Sequence, residues 1–199
     1  MAQNKAVIIF IRKPELGKVK TRLAKGVGQE KALEIYNKLL EHTREESLKV
    51  ACDRFLFYEG AIETHDQWSD SDFQKFVQCS GHLGTKMKHA FTIALAKYDQ
   101  VLTIGSDCPQ ITHKDIERGF FELEEHDVVI GPARDGGYYL LGMSDLQLFL
   151  FDDMPWSEEN LLEESIIRVQ DRGLQYALLK TKSDIDYKED WEEFKHLLD

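Results

Sequence analysis

Residues 6–22 read AVIIFIRKPELGKVKTR, an unbroken apolar run over 6–11 followed by a cationic loop, Arg12 to Arg22. Six consecutive apolar residues predict a strand buried on both faces, as in a parallel sheet covered by helices. The cationic loop has five Lys/Arg among eleven residues and is interrupted by Pro14 and Gly17. A glycine-containing turn between a strand and a helix can direct backbone N–H groups at an anion. We therefore predict that this loop binds the phosphates of a nucleotide.

The cationic loop matches neither common phosphate-binding fingerprint. It lacks the upstream glycine and the Ser/Thr directly after Lys18 that a P-loop needs, and it has no Rossmann glycine pattern. The alternative is a run of solvated surface cations. In the functional interpretation, glycine allows close approach, lysines supply mobile charge and arginine supplies a rigid fork for phosphate oxygens. The predicted phosphate-binding residues are Arg12, Lys13, Gly17, Lys18, Lys20, Thr21 and Arg22.

The rest of the chain alternates between strand and helix patterns. Further apolar runs predict strands at 55–58, 76–79, 101–105, 127–132, 138–142 and 174–179. Apolar residues at three- and four-residue spacing predict helices over 29–50, 82–98, 112–123 and from Ser157 to Gly173, with a last helix that includes Trp191. Residues 61–72 predict an exposed loop or short helix around Trp68. Without a linker or repeat, residues 1–199 predict one α/β domain, a three-layer α/β/α sandwich with a mainly parallel mixed sheet.

Composition restricts the class of protein. The chain has 199 residues, 42% hydrophobic, and a net charge of −11, which argues against a general nucleic-acid binder. Residues 1–31 nevertheless carry eight Lys/Arg against two Asp/Glu, so the positive charge is local and suits a small anion. Three unpaired cysteines and no apolar run near the ~18 residues of a membrane span predict a cytoplasmic protein with free thiols and no membrane span.

Carboxylates follow two of the predicted strands. Asp107 follows the strand at 101–105, and Asp184 and Asp186 follow the strand at 174–179. Ligands of α/β sheets bind beyond the carboxyl ends of the strands, so these residues and the cationic loop are expected to meet. Mg²⁺ bound to phosphates takes one or two protein carboxylates, which predicts Mg²⁺ or Mn²⁺ on Asp107 and Asp186. Asp107 as a simple turn cap, and Asp184 instead of Asp186 as second ligand, remain alternatives.

The glycines after Asp135 form a third candidate element. Asp135, Gly136 and Gly137 lie between two apolar strands, where an ordinary hairpin turn is one interpretation. In the other, Gly136 and Gly137 let an acceptor approach the backbone, and Asp135 is a hydrogen-bond acceptor or base. The predicted catalytic residues are therefore Asp107 and Asp135.

Four motifs in this order resemble a known family. They are FIRKPxxGxVKTRL at 10–23, IGSDCP at 104–109, GPAxDGGYY at 131–139 and PWS at 155–157. The set looks like the bacterial glycosyltransferase-like family described as radical-SAM/selenodomain-associated transferases, in the nucleotide-diphospho-sugar transferase superfamily with the GT-A type fold. Residues 20–23 are also similar to the loop of the guanylyltransferase that activates phospholactate in deazaflavin-cofactor synthesis.

The resemblance implies that the cationic loop binds nucleotide phosphates and that Asp107 and Asp186 stand at metal-binding positions. The chain departs from relatives at Tyr187-Lys188, where they tend to have Thr-Pro, and at Ile11-Arg12, where they often have Ala-Lys. The leading function is a metal-dependent glycosyltransferase that uses a nucleoside diphosphate sugar. The alternatives are a nucleotidyltransferase that joins a nucleoside triphosphate to a phosphorylated small molecule, and a non-catalytic nucleotide-binding module. The base, sugar, acceptor and oligomeric state stay open.

Overall fold

The computed structural model describes residues 4–198, in which strands and helices alternate. The strands are β1 (Lys5–Arg12), β2 (Asp53–Glu59), β3 (Gln74–Val77), β4 (Gln100–Ile104), β5 (Val128–Pro132), β6 (Tyr138–Met143) and β7 (Tyr176–Leu178). The helices are α1 (Thr21–Val27), α2 (Gln29–Leu48), α3 (Leu83–Leu95), α4 (His113–Glu122), α5 (Leu161–Gln170) and α6 (Lys188–Phe194), with short 3₁₀ turns at Leu148–Leu150 and Lys195–Leu197. No helix within residues 4–198 is long and apolar enough to cross a membrane.

The described strands form one sheet in the order β3-β2-β1-β4-β6-β5-β7. The pairs of β1 with β2, β1 with β4, β2 with β3 and β5 with β7 are parallel, and β6 runs antiparallel to both of its neighbours. The predicted mainly parallel mixed sheet is confirmed. The chain leaves β1 toward β2 and later returns to β4 on the other side of β1. This reversal of strand order opens a crevice beyond the carboxyl ends of β1 and β4, the usual ligand position in such sheets.

Strand β1 shows why the molecule has three layers. Val7, Ile9 and Ile11 pack in one core cluster with residues of α2 and α4. Ala6 and Ile8 point the other way and pack with residues of α3 and α5. Successive side chains of a strand alternate between faces, so an unbroken apolar run needs helices on both sides of the sheet.

A third apolar cluster positions two of the candidate site segments. It joins α1, α2 and α6 and includes the fully buried Leu23 and Ile185. Leu23 follows the cationic loop by one residue, and Ile185 immediately precedes Asp186. Burial of these two side chains therefore brings the end of the cationic loop and the Asp186 segment to the same edge of the sheet.

One local prediction was wrong. Helix α5 begins at Leu161 with Asn160 at its N-cap, whereas Ser157 has a left-handed φ of 67° and caps nothing. The backbone of 157–160 instead turns to pack on the hairpin that joins β5 and β6. Residues 61–72 form the predicted loop, and most of them are exposed. Within this loop the Trp68 side chain is only 2% exposed and packs edge-on against Phe73. The lack of a helical pattern predicts the loop but does not reveal that one large apolar side chain in it is buried.

Candidate functional site

Lys20, Asp107 and Asp186 meet at the carboxyl edge of the sheet. The Lys20 Nζ lies 3.1 Å from Asp107 Oδ2 and 3.1 Å from Asp186 Oδ1. The lysine side chain is only 5% exposed, while the two carboxylates are 41% and 40% exposed. Three segments that are far apart in sequence thus converge on one ammonium group, as expected for clusters that follow the carboxyl ends of parallel strands.

The backbone holds these three side chains in place. Lys20 is the N-cap of α1 and has a left-handed conformation, φ 46° and ψ 45°, which is strained for a residue other than glycine. The Ile185 N–H donates to the Asp107 carbonyl at 3.0 Å, which ties the Asp186 segment to the end of β4. Asp190 Oδ2 accepts from the Asp186 and Tyr187 N–H groups at 3.0 and 2.7 Å. The backbones of the two carboxylate-bearing segments are therefore anchored by contacts other than those of Lys20.

The charge of the Lys20 ammonium is maintained by its partners. Burial alone would lower the pKa of Lys20, but the adjacent Asp107 and Asp186 carboxylates raise it above its ordinary value. Lys20 is therefore a buried cation at neutral pH. Arg22 adds a second positive charge, with its Nη1 3.3 Å from Asp186 Oδ2, but its side chain is 64% exposed.

Asp184 adds a further carboxyl group to this edge. Its Oδ1 is inaccessible to solvent and has no hydrogen-bond partner within residues 4–198. Burial, followed by the negative charge of Asp107, raises the pKa of Asp184 to about 7; Asp135 and Asp186 act in the same direction, and Lys20 opposes them. The negative charge of these carboxyl groups is therefore only partly compensated by Lys20. In the sequence, Asp184 was the alternative to Asp186 as the second metal ligand.

The donor set fits a divalent cation. Asp107 and Asp186 each place one carboxylate oxygen 3.1 Å from a common positive charge, and Asp184 has an unsatisfied oxygen nearby in the chain. Oxygen ligands are those that Mg²⁺ and Mn²⁺ prefer, and one or two carboxylates suffice when phosphates and water complete the shell. The part of the chain that the structure describes contains no ready group of three or more metal-binding side chains. A divalent cation held here by two carboxylates would take its remaining ligands from a bound phosphate and from water.

The other cations of the loop face acidic side chains at the surface. Arg12 Nε lies 2.7 Å from Glu59 Oε2, Lys13 Nζ lies 2.8 Å from Glu63 Oε1, and Lys18 Nζ lies 2.5 Å from Glu15 Oε2. These three side chains are 64%, 50% and 75% exposed, so an arriving anion can reach them. Gly17 has a φ of +76°, which favours glycine, and the exposed Thr21 begins α1.

Tyr36 and Ser106 support the edge but were missed as site residues by sequence reasoning. The Tyr36 hydroxyl accepts from the Arg12 N–H at 3.0 Å and donates to the Arg12 carbonyl at 3.1 Å. The Ser106 hydroxyl donates to the Phe10 carbonyl at 3.2 Å, joining the ends of β1 and β4. Tyr36 belongs to the apolar face of α2, and nothing in that periodic pattern distinguishes its hydroxyl from a core side chain.

The Asp135 turn is a hairpin at the same edge. The Gly137 N–H donates to Asp135 Oδ1 at 3.0 Å, and the Asp135 side chain is exposed. Gly136 has a φ of +86°, and a Cβ there would lie 1.8 Å from the Glu159 carbonyl oxygen. Gly136 is thus required where the 157–160 segment crosses the turn. The Gly105 N–H donates to the Tyr139 carbonyl at 2.8 Å, which places this hairpin beside the segment that carries Asp107.

Residues 44–158 match the model of the family described as "Uncharacterized protein conserved in bacteria (DUF2064)". The chain belongs to this family. The matched region contains Asp107 and the Asp135 turn, while the cationic loop and Asp186 lie outside it. Comparison with curated proteins finds no match.

Solved structures share the fold over nearly the whole chain. A crystal structure from Desulfovibrio desulfuricans G20, described as a "putative nucleotide-diphospho-sugar transferase", is 27% identical with a TM-score of 0.85, and the match covers 94% of this chain and 84% of that one. The inositol-1-phosphate CTP transferase from T. maritima is 10% identical, with a TM-score of 0.64 and coverage of 99% and 96%. Rv0371c from Mycobacterium tuberculosis H37Rv, in complex with manganese, is 12% identical, with a TM-score of 0.55 and coverage of 97% and 98%. The fold is therefore that of nucleotide-diphospho-sugar transferases and nucleotidyltransferases.

Proposed function

We propose that this protein is a divalent-metal-dependent glycosyltransferase that uses a nucleoside diphosphate sugar. The observation that carries the proposal is the convergence of Asp107 and Asp186 on the Lys20 ammonium, with Arg22 also in contact with Asp186. This arrangement lies at the carboxyl edge of the sheet, where the strand order reverses. Likeness to the D. desulfuricans protein supports the same superfamily.

The candidate residues have distinct roles in this reaction. Asp107 and Asp186 would hold Mg²⁺ or Mn²⁺, and the manganese complex of Rv0371c supports this choice of cation. The bound cation would neutralise the charge that develops on the departing nucleoside diphosphate. Lys18 and Arg22 have exposed head groups that would contact phosphate oxygens.

Asp135 would act on the acceptor. Its carboxylate is exposed on the hairpin beside the Asp107 segment and would accept the proton of an acceptor hydroxyl. The acceptor oxygen would then form the new bond to the anomeric carbon, while the bond from that carbon to the diphosphate oxygen breaks. Within the superfamily, the four sequence motifs support the radical-SAM/selenodomain-associated type of transferase, with residues 1–199 as one domain.

The second candidate is a nucleotidyltransferase, in which a substrate phosphate attacks the α-phosphorus of a nucleoside triphosphate and pyrophosphate leaves. The observation that favours it is the number of cations in the loop. Arg12, Lys13 and Lys18 all keep exposed head groups besides the two cations that contact Asp186. That charge suits three phosphates better than two. The shared fold of the T. maritima CTP transferase is compatible with this reaction.

The deciding experiment combines calorimetry with product analysis. Nucleoside triphosphates and nucleoside diphosphate sugars are titrated separately, each with and without Mn²⁺. Tightening by Mn²⁺ with one diphosphate sugar, followed by release of nucleoside diphosphate, supports glycosyl transfer. A preference for one triphosphate and release of pyrophosphate supports nucleotidyl transfer. If neither class binds at millimolar concentration, both proposals are wrong.

A variant pair tests the assigned metal position. Asp107→Asn is expected to weaken Mn²⁺-dependent nucleotide binding by at least the roughly 10- to 100-fold that loss of an outer-shell partner costs, because a carboxylate ligand itself is lost. Asp171→Asn is the matched control, because it makes the same change on an exposed residue that follows α5. If Asp107→Asn binds nucleotide and Mn²⁺ like the control, Asp107 does not hold the metal.

A further inference from the structure

Lys20 differs from the other cations of the loop. Lys18, two residues away, has a 75% exposed side chain and contacts Glu15, whereas the Lys20 side chain is 5% exposed and contacts two carboxylates. These are the same carboxylates that we assign to the metal. Lys20 is therefore not an unpaired cation at the surface, because its ammonium already lies between Asp107 and Asp186.

We propose that Lys20 is a positioning residue that keeps Asp107 and Asp186 paired until a nucleotide phosphate takes over its ammonium, so that metal and nucleotide bind together. The inference rests on the proposed function and adds to it an order of binding. A divalent cation alone is expected to bind weakly, and a phosphate is expected to make its binding much tighter.

The physical argument starts from the cost of displacing Lys20. A cation that binds both carboxylates removes the two carboxylate acceptors of a buried ammonium and adds positive charge beside it. A buried charge that loses its partner is strongly destabilising. A phosphate group offers new charged acceptors to the same ammonium, and the flexible four-carbon lysine side chain can follow them.

The backbones of the segments that carry Asp107 and Asp186 need not move during this exchange. The Ile185 N–H donates to the Asp107 carbonyl, and Asp190 accepts from the Asp186 and Tyr187 N–H groups. The ligand segments therefore stay anchored by their backbones when Lys20 leaves. Because binding free energies are linked, nucleotide must raise metal affinity by the same factor as metal raises nucleotide affinity.

The test measures Mn²⁺ binding without nucleotide, from the electron paramagnetic resonance signal of the free ion. Lys20→Met is expected to bind Mn²⁺ about 10-fold more tightly than the unmodified protein, a common size for coupling between two ligands. Lys25→Met is the matched control, because it makes the same change on an exposed lysine in the last turn of α1 that has no assigned role in binding. It is expected to change Mn²⁺ affinity by less than about 3-fold.

A second measurement separates the exchange from a general effect of charge. The nucleoside triphosphate or diphosphate sugar that binds best to the unmodified protein is added, and Mn²⁺ affinity is measured again. The unmodified protein and Lys25→Met are expected to gain affinity, and Lys20→Met is expected to gain little. Lys20→Gln, which keeps a polar group at the position, serves if Lys20→Met does not fold, and it is expected to change in the same direction.

The inference is overturned if the Lys20 variants bind Mn²⁺ alone no more tightly than the unmodified protein. It is also overturned if nucleotide enhances Mn²⁺ binding equally in the presence and absence of the lysine. In both cases a nucleotide–Mn²⁺ complex of the unmodified protein would leave the proposed function standing. Failure of that unmodified protein to bind any nucleotide would instead remove the proposed function and this inference with it.

Discussion

Two poorly exposed carboxyl groups, Glu46 in the contact between α2 and α4 and Asp184 at the candidate site, have opposite environments. Glu46 Oε2 accepts from the His113 N–H at 2.7 Å and contacts His113 Nδ1 at 2.9 Å, and Lys49 Nζ donates to Oε1 at 2.5 Å. Asp184 Oδ1 is also hidden from solvent but has no partner within the described residues. The two carboxyl groups therefore differ in the hydrogen-bond donors that surround them.

The pKa values express this difference. Burial would raise the pKa of Glu46, but hydrogen bonds from Lys49 and His113 lower it to about 2. Burial and the neighbouring Asp107 raise the pKa of Asp184 to about 7. A carboxylate with several donors stabilises a fold, whereas one crowded by like charge destabilises it. Strongly perturbed groups of the second kind concentrate at functional sites, which is where Asp184 lies.

Replacement of Glu46 should have the larger effect on stability. Glu46→Gln is expected to lower the free energy of unfolding at pH 7 by about 2 kcal/mol, because the charged acceptor of three contacts is lost. The folded pKa lies below the ordinary value of 4.5, so this stabilisation is present above pH 4.5 and disappears as the pH falls toward about 2. Urea unfolding at several pH values measures both the loss and its pH dependence.

The neighbouring Glu45 provides the control for this change. Its side chain is 55% exposed, and Glu45→Gln is expected to change the free energy of unfolding by less than about 0.5 kcal/mol. Equal effects of the two substitutions would show that the contacts of Glu46 do not stabilise the fold. A loss at Glu46→Gln that persists undiminished near pH 3 would contradict the assigned electrostatic cause.

Replacement of Asp184 should have a smaller effect of opposite sign. Asp184→Asn is expected to raise the free energy of unfolding at pH 8 by about 1 kcal/mol, because a neutral amide replaces a crowded charge. The folded pKa is above the ordinary value of 3.8, so the folded state binds more protons between pH 4 and about 7. Stability from this group is therefore present below pH 4 and is lost as the pH rises through about 7.

The measurement is urea unfolding at pH 4 and pH 8 for both proteins. Asp184→Asn is expected to match the unmodified protein at pH 4 and to exceed it at pH 8. The same substitution is expected to weaken Mn²⁺-dependent nucleotide binding, so that stability rises while function falls. A variant that is less stable than the unmodified protein at pH 8 would place Asp184 among the groups that hold the fold together.

The architecture was predictable from the sequence, and so was the meeting of the polar residues that follow the strands. Apolar runs define buried strands, and the carboxyl ends of parallel strands share one edge of the sheet, so Asp107 and Asp186 were expected together. The partner of each cation was not predictable. Lys18 and Lys20 look alike in sequence, and burial of Leu23 and Ile185 together with a left-handed backbone directs Lys20 inward. Tertiary packing likewise overrode the helix-cap pattern at Ser157.

The exposed pair of Arg12 and Glu59 serves as a reference for the two poorly exposed carboxyl groups, Glu46 and Asp184. Its disruption is expected to cause the smallest change in stability. Arg12→Met is expected to alter the free energy of unfolding by less than about 0.5 kcal/mol, because both partners are well exposed and the Arg12 backbone stays anchored by Tyr36. Nucleotide affinity is nevertheless expected to fall about 5-fold, because a charged donor to phosphate is lost. Calorimetry and urea unfolding measure the two effects. Lys195→Met is the charge control, because Lys195 is exposed and follows the end of α6 opposite to the Asp186 segment. A stability loss as large as that of Glu46→Gln would show that the exposed ion pairs of the cationic loop stabilise the fold. Unchanged nucleotide affinity would show that Arg12 does not bind phosphate, and that role would fall to the other cations of the loop.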